Sequence, residues 1–203
     1  MEYFAVILFT VTTWATPGPN NTMLLTSGVN YGVRRSLPHY LGIILGFPTM
    51  FIAVGLGLAA LFDQLPLLHT LLKIAGALYL TYLAWRIATA PISDLNAGKG
   101  KPFTFIQAAA FQWVNPKAWV MAVGAIATYT VVGSQYEAQV VTIALIFLIF
   151  GAPCSLLWLW CGASLKRFLR EPNSVKRFNY AMAALLMTSL MPVFIELYNQ
   201  FKA

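Results

Sequence analysis

The sequence predicts an all-α polytopic membrane protein, with six transmembrane helices arranged as a 3+3 inverted-topology repeat and helices 1 and 4 broken at PGPNN and NPK. Three observations carry this expectation. The 203 residues are 59% hydrophobic and only 9% charged, with a mean hydropathy of +0.71; a water-soluble domain carries roughly 25% charged residues. Six apolar segments stand out, at about residues 4–28, 40–62, 66–88, 104–130, 138–164 and 178–198. Each is near or above the ~20 residues a helix needs to cross a bilayer. Finally, the first and fourth segments are interrupted at matching places, by TPGPNN at residues 16–21 and by NPK at residues 115–117.

The first segment follows Glu2 and has no basic residue ahead of it, so it reads as a retained helix and not a cleaved signal peptide. Pro17 and Pro19 remove backbone donors and free the carbonyls of Thr13 and Ala15. Gly18 permits a tight path. Asn20, Asn21 and Thr22 then start a second half-helix, whose N-terminus attracts anions. Gly42, Gly46, Gly55 and Gly57 mark the second segment, as does GFP at residues 46–48. Such small residues allow close helix approach, either inside one protomer or between two. The third segment contains Lys73 and Gly76 and ends at Arg86. A flexible link at residues 91–102 joins repeat one, about residues 1–90, to repeat two, about 103–203, within a single transporter domain.

In the fourth segment, Pro116 frees the carbonyl of Gln112, and Asn115 is pushed towards extended backbone because it precedes proline. Lys117 follows at once. A lysine near mid-membrane is costly and is a functional hypothesis by default, with snorkelling to an interface as the alternative. The fifth segment holds GAP at residues 151–153, with Cys154 and Cys161 seven residues apart as small apolar fillers badly placed for a disulfide.

Charge placement gives orientation. Arg34 and Arg35 follow segment 1; Arg86, Lys99 and Lys101 follow segment 3; Lys166, Arg167, Arg170, Lys176 and Arg177 lie between segments 5 and 6. The opposite links carry Asp63 and Glu137. The positive-inside rule makes the basic side cytoplasmic and puts both termini outside. The net charge of +7 is then topology, and no nucleic-acid partner is needed to explain it.

The halves match. GFP in segment 2 pairs with GAP in segment 5, each followed by a glycine nine residues beyond its proline, Gly57 and Gly162. GALYLT at residues 76–81 pairs more weakly with AALLMT at 183–188. Three spans per half is an odd number, so the second half enters from the opposite side. Both breaks lie about thirteen residues into their segments, or roughly 20 Å, which places both near the bilayer middle. Freed carbonyls suit an ammonium group; half-helix N-termini and Lys117 suit a carboxylate. Together they fit a zwitterion. The competing reading is that the prolines only kink the helices and shape packing. Trp14 and Trp113 either wall the site or simply pack.

TPGPNN near the N-terminus resembles the signature of the lysine exporter family (LysE/RhtB) of bacterial amino-acid efflux proteins. GVRRS (residues 32–36), LGIILG (41–46), LKIAGALYLTYLAWR (72–86) and FQWVNPKAW (111–119) agree with that pattern, and the likeness covers essentially the whole chain. The resemblance implies export of an amino acid or close derivative, coupled to protons, by a homodimeric protein of the bacterial inner membrane. Its motif positions fall here on Pro17, Gly18, Pro19, Asn20, Asn115, Pro116 and Lys117, with Lys73 and Gly76 less firmly attached. Asn21 is a position that varies between relatives and bears on substrate choice.

Other classes fit poorly. An intramembrane enzyme would need a nucleophile with a base, a carboxylate pair or a metal cluster, and the sequence offers no catalytic set, no metal-ligand spacing and no cofactor motif. A channel would need charged rings or repeated filter loops. The acids Glu2, Asp63, Asp94, Glu137, Glu171 and Glu196 all lie outside the deep apolar stretches, which favours neutral over basic cargo. They leave Lys117 and Lys73 as candidates for the proton step, with no choice between them. His39 and His69 flank segments and are expected to be solvated.

Overall fold

The computed structural model describes residues 3–58, 66–89, 101–131, 133–169 and 171–202. The expectations at Glu2, Asp63, Asp94, Lys99, Arg170 and most of the 91–102 link lie outside these. The described residues are helical, without strands. Helix α1 spans Tyr3–Ala15 and α2 Pro19–Ala53, continued by a π-helical turn at Val54–Leu58; α3 is Pro66–Ala88, α4 Phe105–Gln112, α5 Pro116–Tyr129, α6 Tyr136–Leu165, α7 Pro172–Thr188 and α8 Met191–Lys202.

Among the described residues, length and hydropathy single out two stretches able to cross a membrane, Pro19–Gly57 and Tyr136–Leu165; the bent pair α7 and α8 makes a third if taken as one. The first stretch is not straight. Gly32 has φ 76° and ψ 170°, a backbone that side-chain-bearing residues avoid. The hydroxyls of Ser27 and Ser36 lie 2.8 Å apart, yet nine residues of straight helix would separate them by about 13 Å. The chain therefore doubles back at Gly32, and α2 is a hairpin of two arms. The sequence reading placed a link between segments 1 and 2 at about residues 29–39; one glycine does that work inside helical chain. His39, expected to be solvated, is fully buried in the second arm.

Directions follow from the contacts. Phe9 meets Phe147, Trp14 meets Gly151 and Leu25 meets Gly162. Helix α1 and the first arm of α2 thus run in the same direction as α6. Tyr40 bonds the Ala152 carbonyl, Phe47 stacks on Phe147 and Gly55 meets Val140, so the second arm runs against α6. Helix α4 runs beside that arm in the same direction, with Gly42 against Phe105 and Gly46 against Ala109. Helix α3 runs against α4, through Tyr79–Phe111 and Arg86–Phe103.

Glycines set the closest approaches. A Cβ on Gly28 would collide with the Leu159 carbonyl oxygen, and one on Gly162 with that of Leu25. Of the two sequence alternatives for Gly42 and Gly46, the contacts realise packing within the chain. The matched glycines Gly57 and Gly162 do different work: Gly57 adopts φ 119° in the π-helical turn, whereas Gly162 admits a neighbouring backbone. An aromatic core of Phe47, Phe51 and Phe147 holds the second arm of α2 against α6.

Candidate functional site

Helix α1 stops at Ala15 and α2 begins at Pro19; α4 stops at Gln112 and α5 begins at Pro116. These two interruptions face each other. Phe9 of α1 meets Tyr129 at the far end of α5, and Gly18 meets Lys117, so the two chains pass in opposite directions with their gaps side by side.

Side chains stitch the gaps together. Asn20 and Gln112 exchange two amide hydrogen bonds, Asn20 Nδ2 to Gln112 Oε1 at 2.8 Å and Gln112 Nε2 to Asn20 Oδ1 at 3.1 Å, with Gln112 fully buried. Asn21 reaches back, donating from Nδ2 to the carbonyls of Trp14 (2.7 Å) and Thr16 (2.8 Å). The Thr16 hydroxyl donates to the Thr13 carbonyl at 2.8 Å. The Lys117 ammonium donates to Thr16 O (2.9 Å), Thr16 Oγ1 (2.8 Å) and Pro17 O (3.3 Å). The ammonium group that these carbonyls hold here is the chain's own.

Local reasons place each group. Asn115 is extended at φ −84° and ψ 110°, and its side chain caps α5 by accepting from the Lys117 N–H at 3.2 Å. The Gln112 carbonyl is not left free: the Asn115 N–H reaches it at 3.3 Å in a tightened last turn. Gly18 has φ 178° and ψ 178°, open to any residue. Its glycine makes room for a side chain instead, since a Cβ would come 2.7 Å from Lys117 Cδ. Pro19 and Pro116 each open a helix where no N–H is needed. Gly76 sets α3 against the second interruption, where a Cβ would lie 2.5 Å from the Val114 carbonyl oxygen. Lys73 belongs to α3 one turn earlier; its side chain lies outside the described residues. Trp113 uses its carbonyl to accept from the Trp119 indole at 2.8 Å and stands apart from the cavity.

Between the interruptions lies a small cavity, bordered by Trp14, Asn21, Phe47, Asn115, Lys117 and Met121, among others. It has room for roughly one water. The first turns of α2 and α5 both edge it. Their backbone N–H groups at Asn20, Asn21 and Ala118 have no acceptor inside their own helices. The indole N–H of Trp14 is buried and finds no acceptor; its ring lies flat against Gly151. Lys117 is the one ionisable residue lining the cavity, and no group of three or more His, Cys, Asp or Glu residues is placed to hold a metal among the described residues. Of the two tryptophans the sequence offered as a wall or as packing, Trp14 lines the cavity; Phe47 and Met121 carry no chemical signal that sequence reasoning could use to separate site from core.

A family model described as LysE type translocator matches residues 11–195. The cysteine/O-acetylserine efflux proteins of Escherichia coli (strain K12) and of Shigella sonnei (strain Ss046) are each 30% identical to this chain over 187 residues, covering 92% of it and 94% of the relative. No solved structure matches.

Proposed function

The chain belongs to the LysE type translocators, and from that premise we propose that it exports a small neutral amino acid or close derivative from the cytoplasm, through the site where the two interruptions meet. Membership makes it a membrane efflux protein and a transporter, not an enzyme. The observation that carries the finer reading is Lys117 lying across the Thr16 and Pro17 carbonyls in the interruption after α1, beside two helix N-termini and an unpaired indole donor. A zwitterion fits by exchange. Its ammonium takes the Thr16 and Pro17 carbonyls, and the displaced Lys117, with the N–H groups of Asn20, Asn21 and Ala118 and of Trp14, takes its carboxylate. The cavity is too small for an amino acid while Lys117 holds those carbonyls, so this conformation is a closed one.

Several features support the remaining parts. Among the described residues no acid lines the cavity, so a basic side chain finds no countercharge among them; the relatives are named for cysteine and O-acetylserine, both small neutral zwitterions. The opposed directions of the interrupted helices favour six crossings in two inverted halves, with Pro17, Gly18, Pro19, Asn20, Asn21, Gln112, Asn115, Pro116 and Lys117 at the centre. Basic residues gather at one end, where Arg35, Arg86 and Lys101 lie around Tyr31 and Phe103. We assign that end to the cytoplasm and both termini to the other side of a bacterial inner membrane. Proton coupling, with Lys117 and Lys73 as the candidate groups, and a homodimeric assembly complete the reading.

Counterflow in proteoliposomes tests it, with a panel of labelled amino acids and O-acetylserine. The wild type should accumulate one or a few neutral compounds, and both Lys117→Ala and Asn20→Ala should abolish uptake. Uptake that survives both changes would mean that the interruptions only shape packing.

A further inference from the structure

A second pocket opens at the end of the molecule where the basic residues gather, and it shares no lining residue with the central cavity. Asn30 and Tyr31 at the end of the first α2 arm, Arg86 of α3, and Lys101 and Phe103 ahead of α4 border it. Among the described residues that line it, two are cations and none is acidic. The Arg86 guanidinium lies 6.0 Å from the Tyr82 ring centroid and 5.8 Å from that of Phe103, contacts that fix its position and leave its charge in place. The pocket has room for about three waters, the size of a carboxylate and too little for a whole amino acid.

The two pockets share a helix. Asn20 edges the central cavity, and Met23, Ser27 and Asn30 edge the basic pocket. These four lie on one face at helical spacing, and about 15 Å of helix separates the ends. Met23 is buried between them, packed in one apolar cluster with Leu83 and Phe111, and closes the route in this conformation.

We propose that this pocket is an anion subsite that receives the carboxylate of the cargo on the cytoplasmic side, before Met23 moves and the zwitterion passes along α2 to Lys117. The assignment rests on the export reading above. An anionic lipid headgroup offers the same charge, and the test separates the two.

The test is transport by the full-length protein in oriented vesicles of neutral lipid, then of lipid with added phosphatidylglycerol. The double variant Arg86→Gln, Lys101→Gln is compared with the wild type and with Arg86→Lys. We expect the double variant to raise KM at the cytoplasmic face at least about fivefold, equivalent to about 1 kcal/mol, with KM at the opposite face unchanged. Arg86→Lys should recover most of the loss. Unchanged KM at both faces in an active double variant would overturn the subsite alone. A variant that loses only a stimulation by phosphatidylglycerol would assign the pocket to lipid and overturn the carboxylate reading. A folded wild type that moves no amino acid would overturn the export reading and the subsite together.

Discussion

Lys117 is held by three oxygens of Thr16 and Pro17, and Gly18 is what lets its stem lie there. Gly18→Ala places a methyl where Lys117 Cδ now sits. The flexible lysine can yield, so the fold should survive while the ammonium leaves its carbonyls; the expected readout is normal yield and melting temperature with transport impaired. Trp14 makes a finer test. Trp14→Phe keeps an aromatic ring beside Gly151 while removing the N–H and part of the indole's bulk, so its folding is checked by thermal unfolding. Loss of one hydrogen bond of about 1 kcal/mol predicts a rise in KM of about fivefold, and an unchanged KM would remove Trp14 from the carboxylate's partners. The polar residues that meet at the two interruptions were legible in the sequence because prolines, amides and a lysine are conspicuous in an apolar chain. Their pairing was not. That Asn21 would reach back to Trp14 and Thr16 depends on the local path of the first interruption; that Lys117 would take the carbonyls of Thr16 and Pro17, and not those of Thr13 and Ala15, depends on two interruptions 100 residues apart in sequence meeting gap to gap.

At the scale of elements, the bends lie with glycine and proline and the closest approaches with glycine. The α2 hairpin turns on Gly32 alone. Gly32→Ala should destabilise the fold by about 1–3 kcal/mol, seen as a lower thermal midpoint in detergent. Gly28 and Gly162 let the first α2 arm and α6 touch backbone to backbone. Gly28→Leu forces those backbones apart and should cost about 3 kcal/mol or more, with loss of folded protein on expression. An apolar pattern locates helices well, since burial in protein and exposure to lipid demand the same residues. For the same reason it does not say where one helix ends and its neighbour begins, which is why a polar link was expected where the chain turns on one glycine. It also did not divide the last segment into α7 and α8, separated at Ser189 and Leu190.

Across the whole molecule, the charge pattern of the sequence and the helix directions agree. Arg35, Arg86 and Lys101 come from links far apart in the chain and gather at one end. Leu25 against Gly162 brings the C-terminus of α6 towards the same end, and Asn30 bonds Asn179 of α7 there at 3.3 Å. At the other end, Tyr136 bonds the Gly55 carbonyl at 2.8 Å. The placement of basic residues along the sequence was enough to expect this gathering, because a bilayer sorts charge coarsely. The proposed exchange of cargo ammonium for lysine ammonium rests on the position of Lys117 across the facing interruption, which follows from packing and not from composition.

The most direct test of that exchange is equilibrium binding of a labelled neutral amino acid to purified wild type and Lys117→Met, with folding checked by thermal unfolding. The account predicts saturable binding by the wild type and affinity at least about tenfold weaker, about 1.4 kcal/mol, in the variant. Equal affinity in a folded Lys117→Met protein would contradict it.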